Sequence, residues 1–70
     1  MRAEPDLQAL RALALAAREN SISAAAGLLG VSQQALSLRI RTLERELGAR
    51  LLVRSTRGSR LTPAGQQVVG

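Results

Sequence analysis

Apolar residues follow one period in the first two-thirds of this chain and another after it, and the change divides the chain into elements. From Leu7 to about Arg18, Leu7, Leu10, Leu13, Ala14 and Ala17 fall at helical spacing, with Asp6 placed to cap the first free amides. The residues ENS interrupt that pattern, and Ile22 to Leu29 resumes it with Ser21 or Ser23 available as N-cap. This second helix is short and carries three consecutive alanines, Ala24, Ala25 and Ala26, so another backbone can approach it closely. Gly30 can take the positive φ that ends a helix abruptly. Ser32 then caps a longer helix running from Gln33 to Leu47 and stopped at Gly48.

On a wheel of about 100° per residue, Leu36, Ile40, Leu43 and Leu47 of this third helix form a narrow stripe that faces the first two helices. The opposite side collects Gln34, Leu38, Arg41 and Arg45, with Ser37 at its edge. Gln33 lies nearer the stripe, but in the first turn, where a side chain still reaches outward. Charges would solubilise a helix better than two amides, a hydroxyl and a leucine, so this face reads as a recognition surface.

Past Gly48 the period shortens. Leu51 to Arg54 and Ser59 to Leu61 read as two short strands, with STRG between them and Gly58 for the turn. A two-stranded ribbon is marginal by itself, so it must lean on the helices. Thr62 followed by Pro63 starts another helix, because proline at the first helical position lacks only an amide that has no partner there. That helix holds Ala64, Val68 and Val69 but has fewer than three turns by Gly70, which points to a piece of a longer protein.

The expected fold is mainly α, a winged helix-turn-helix with a three-helix core, a two-stranded wing and the start of a linker helix. The expected domain covers residues 1–62, with the helix-turn-helix at about 22–47 and the wing at about 51–61, and the linker helix starts at 63–70.

Composition narrows the function. Seventy residues make one small domain without room for a deep enzyme pocket. Apolar residues reach 46% with no Phe, Trp or Tyr, and thirteen are leucine, which suits helices packed on helices rather than a large sheet. The absence of His and Cys removes thiolate nucleophiles, imidazole bases and nearly all zinc or haem ligation, so no metal, cofactor or enzyme activity is expected. Glu44 and Glu46 lie two apart on a helix, point in different directions and make no carboxylate pair. With no aromatic side chain to stack on bases, single-stranded RNA is disfavoured. No long apolar run appears and MRAEPD is no signal sequence, so the expected compartment is the cytoplasm.

Charge is informative by position. Through residue 30, three arginines (2, 11, 18) balance Glu4, Asp6 and Glu19; from residue 31, seven arginines (39, 41, 45, 50, 54, 57, 60) face Glu44 and Glu46, so the whole +5 lies there. A basic half suits a polyanion such as a nucleic-acid backbone. The plainer reading is a solvated face with Arg41–Glu44 or Glu46–Arg50 pairs.

The segment VSQQALSLRIRTLERELG, followed directly by LLVR and then RLTPAG, resembles the DNA-binding domain of LysR-type transcriptional regulators, over about residues 7 to 70. Each piece alone is weak, and their order and spacing together are specific. The resemblance implies that the helix capped by Ser32 enters the major groove of double-stranded DNA and that the hairpin lies near phosphates. It places base-reading positions on Gln33, Gln34, Ser37 and Leu38, and the wing arginine on Arg54; from their own positions, Arg41 on the outer helix face is expected as a backbone contact and Arg57 in the wing as a further DNA-binding residue. Amides pair with adenine edges, hydroxyls donate or accept, and arginine reaches phosphate or guanine. It further implies a homodimer through the fourth helix, an inverted-repeat operator and a small-molecule effector bound by a separate domain.

Two departures stand out: the family usually has proline at Gln34 and commonly arginine at Leu38, so base preference does not transfer. The family often has a basic residue near Ala24, and aromatics near Leu13 and Leu52, which this chain lacks. The ModE-like molybdate regulators share phrases such as SISAAA, but RTLERELG and the compact wing favour LysR type. From another class, a winged helix can be a protein-interaction module, here with Leu38 and Leu52 as an apolar docking spot.

Overall fold

The computed structural model describes residues 7–70, and Asp6, the expected first cap, lies outside them. Among the described residues the chain forms α1 (Leu7–Glu19), α2 (Ile22–Leu29), α3 (Gln33–Leu47), β1 (Leu52–Ser55), β2 (Gly58–Leu61) and α4 (Pro63–Val69). Helix boundaries follow the punctuation of the sequence. Ser21, Ser32 and Thr62 each cap a helix by accepting an amide hydrogen bond, from Ala24, Ala35 and Gly65. Gly30 and Gly48 close α2 and α3 with φ of 72° and 69°, which leaves a short turn between the two helices of the motif.

The core lies between α1, α2 and α3 and is closed by the chain entering β1. Leu13, Ile22, Leu36, Ile40, Leu43, Leu51 and Leu52 fill it, with Ala9, Ala12, Ala16, Ala25 and Ala26 lining the helix seams. Two expectations about the core are corrected. The buried face of α1 is Ala9, Ala12, Leu13 and Ala16, while Leu7 is 77% exposed and Leu10 and Ala17 are half-buried. Alanines on either side of Leu13 let the helices sit close, and this turns Leu7 and Leu10 away from the centre of the seam. Leu47 is 46% exposed, because Gly48 reverses the chain and Leu51 and Leu52 supply the next buried side chains.

The two strands pair antiparallel, Leu52 with Leu61, Val53 with Arg60, Arg54 with Ser59 and Ser55 with Gly58, leaving Thr56 and Arg57 as the turn. They begin and end within a residue of the expected positions. Polar contacts at three places hold the hairpin on the helices. At its tip, Asn20 in the α1–α2 turn donates from Nδ2 to the Arg57 carbonyl at 3.0 Å, and its main-chain carbonyl accepts from the Ser59 amide at 3.3 Å. Asn20 has φ 57°, and Gly58, at φ 115°, leaves no room for a Cβ against it. At its base, Glu44 Oε2 accepts from the Leu51 amide at 2.8 Å and the Leu52 amide at 3.2 Å, with Arg50 Nε 3.7 Å away. Glu44 therefore pairs with Arg50 across the loop, in place of the Arg41–Glu44 or Glu46–Arg50 pairs along the helix. Behind it, the Thr62 hydroxyl donates to the Arg50 carbonyl at 2.6 Å, and the Thr62 amide donates to the Leu51 carbonyl at 3.0 Å. Gly65 is buried against that same Leu51 carbonyl, with no space for a side chain.

Candidate nucleic-acid interface

The first turns of α3 stand clear of the core. Ser32 is exposed and its hydroxyl accepts from the Ala35 amide at 3.0 Å, so its role in the structure is to start the helix. Gln33, Gln34, Leu38 and Arg41 are exposed, and Ser37 is half-buried where α3 meets β1. Leu36 and Ile40, buried on the opposite side, fix which face looks out.

From β1, Arg54 reaches over to this face. Its Nη2 donates to Ser37 Oγ at 3.0 Å, a contact between residues 17 apart in sequence. Gln33, Gln34, Ser37, Leu38, Arg41 and Arg54 together line one open groove of about 470 Å³. Six of the eight expected site residues thus meet on one surface. Ser32 stands at the start of the same helix, and Arg57 lies apart, exposed at the hairpin tip. The groove carries two cations and no acid among its lining residues. Beside it, Ser37, Arg41 and Arg54 also border a second depression with Arg50 and Glu44.

Such a surface offers amides that both donate and accept, a hydroxyl, and two guanidinium groups with donors in a fixed fork. It suits the edges of bases and the phosphates between them. Sequence reasoning gave the members of this groove but missed the residues that assemble it. Asn20, Glu44 and Thr62 hold the hairpin at the height where Arg54 meets Ser37, through contacts no local pattern signals. The expected docking spot is corrected: Leu38 is 61% exposed but Leu52 is 4% exposed, so the two make no shared apolar surface.

The chain compares closely with known proteins. It is 44% identical over 61 residues to an uncharacterized HTH-type transcriptional regulator of Mycobacterium bovis, covering 87% of this chain and 20% of the relative. It is 46% identical over 66 residues to a probable hydrogen peroxide-inducible genes activator of Mycobacterium xenopi, covering 94% of this chain and 35% of the relative. The chain therefore spans a fifth to about a third of these curated relatives' length. Among solved structures, the CbnR DNA-binding domain in complex with DNA superposes with a TM-score of 0.85 at 36% identity, over 91% of this chain and 74% of that one. The model of bacterial regulatory helix-turn-helix proteins of the lysR family matches residues 7–66. That span takes in the helix-turn-helix, the hairpin and the Thr62–Pro63 start of α4, so by fold, sequence and the order of its elements the chain belongs to the LysR family of bacterial regulatory proteins.

Proposed function

We propose that this chain is the DNA-reading domain of a LysR-type transcriptional regulator, binding double-stranded DNA sequence-specifically with α3 in the major groove. The observation that carries the reading is the groove itself. Gln33, Gln34, Ser37, Leu38, Arg41 and Arg54, drawn from two elements, converge on one exposed face free of acids. In this reading Gln33, Gln34, Ser37 and Leu38 face base edges, Arg41 and Arg54 lie near phosphates, Arg57 meets the backbone beyond the hairpin tip, and Ser32 presents the helix end. Residues 1–62 form the reader and 63–70 begin the linker helix. The role is recognition rather than catalysis.

The test is affinity for a selected duplex measured against salt. Each phosphate neutralised contributes a slope of about −0.9 in log K against log salt, so two to four contacts per chain give roughly −2 to −4. A flat salt response, or equal affinity for all duplexes, overturns the reading. In the parent protein the reading extends to a homodimer through the fourth helix on an inverted-repeat operator, a cytoplasmic location, and an effector bound by another domain. Two readers on a two-fold axis place half-sites a whole number of helical turns apart, which selection from a random pool of duplexes reads directly.

A further inference from the structure

We infer that Leu38 detects the 5-methyl group of a pyrimidine in the major groove. The inference rests on α3 being the groove-inserted helix. Leu38 is 61% exposed, whereas Leu36, Ile40 and Leu43 of the same helix are each at most 4% exposed and already fill the core. Core packing therefore leaves most of Leu38 without a partner. Its surroundings on the groove are hydrogen-bonding or cationic: Gln33, Gln34, Ser37, Arg41 and Arg54. A leucine there can neither donate nor accept. Among the groups that base edges display in the major groove, the 5-methyl of thymine is the apolar one. Cytosine methylated at carbon 5 carries the same group at the same place. An apolar side chain that stands exposed beside polar ones on the groove side, with Ala35 and Leu43 behind it, thus selects for that methyl and penalises a bare polar edge, which it would desolvate without a hydrogen bond.

Register sharpens the inference. Gln34 and Leu38 are four apart and neighbours on one face of α3, about 6 Å apart along the axis. Base pairs are stacked about 3.4 Å apart. The methyl read by Leu38 therefore belongs to a pyrimidine one or two steps from the base pair that Gln34 meets.

The experiment uses the 70-residue chain and its selected duplex. Each half-site thymine is replaced singly by uracil, which removes only the methyl, and each half-site cytosine by 5-methylcytosine, which adds it. At one pyrimidine per half-site, loss of the methyl weakens binding up to about fourfold, the worth of one buried methyl. If that position carries cytosine, methylation strengthens binding by a similar factor, so the two arms separate thymine from methylated cytosine as the natural partner. Leu38→Ala abolishes the difference while the salt slope stays unchanged, and Leu38→Met, which keeps an apolar end, retains it. Methyl changes silent at every position, or equally felt by Leu38→Ala, overturn this inference and leave the DNA-reading assignment standing. Failure to prefer any duplex overturns both.

Discussion

At the scale of single residues, the contact between Arg54 and Ser37 gives two neighbouring side chains separable tasks. The guanidinium has five donors and spends one on Ser37, leaving the rest for phosphate. Arg54→Gln is expected to weaken binding to all duplexes alike and to lower the salt slope by about 0.9. Ser37→Ala is expected to leave the slope unchanged and to cost about 1 kcal/mol at the preferred base alone, the scale of one hydrogen bond. Anisotropy titrations over a panel of duplexes and salts read both. If the two variants gave the same profile, the division of roles would be wrong. Residues that act locally were legible in the sequence: Ser32 and Thr62 as caps, Gly30 and Gly48 as stops, Leu36 and Ile40 as the buried stripe. Their physics is settled within a turn of helix. Asn20 was not legible, because its side chain acts on Arg57, 37 residues away.

At the scale of elements, the hairpin is stable because α3 and α4 supply what two strands lack. Glu44 accepts both amides at the entry to β1, and Thr62 binds the Arg50 carbonyl from the far side. Removing the acceptor leaves partly buried amides unpaired, at about 1–3 kcal/mol. Glu44→Ala is therefore expected to lower stability by that amount in urea unfolding, and Glu44→Gln, which retains an acceptor oxygen, by less. Equal losses would mean that the charge beside Arg50, and not the amide contacts, matters. The sequence showed Glu44 on α3 but offered helix neighbours as partners, since i to i+4 pairing is what a wheel displays and a loop folding back is not. The same limit explains α1. Its leucines suggest one face, yet packing on α2 and α3 buries Leu13 together with Ala9, Ala12 and Ala16, a choice made by the distance between helices and not by hydrophobicity along one of them.

At the scale of the whole molecule, an aliphatic core closed by small side chains suits a small domain of modest stability, assisted by what it binds. The helix proposed to join two readers, α4, has seven residues and keeps Ala64 and Val68 packed against its own core, with Val69 37% exposed. So little free apolar surface on this helix is expected to leave the chain monomeric or weakly dimeric at micromolar concentration in sedimentation, and a tight dimer would contradict this. The double tie between Asn20 and the hairpin tip bears on durability in a cell. A hairpin with Arg54 and Arg60 on its strands and Arg57 in its turn is what a trypsin-like protease attacks first, at the turn. The peptide bond after Arg57, however, has its carbonyl held by Asn20, and the Ser59 amide beyond it is held by the same residue. Cleavage there requires the tip to lift off, so nicking is expected to be slow in the native chain and faster in Asn20→Ala, which removes the Nδ2 tie to Arg57 but keeps the main-chain carbonyl that accepts from Ser59, under limited trypsin digestion. An unchanged rate would show that the tip opens regardless. The residue that sets the hairpin in place for recognition would thus also keep its arginines from becoming the weak point of the chain.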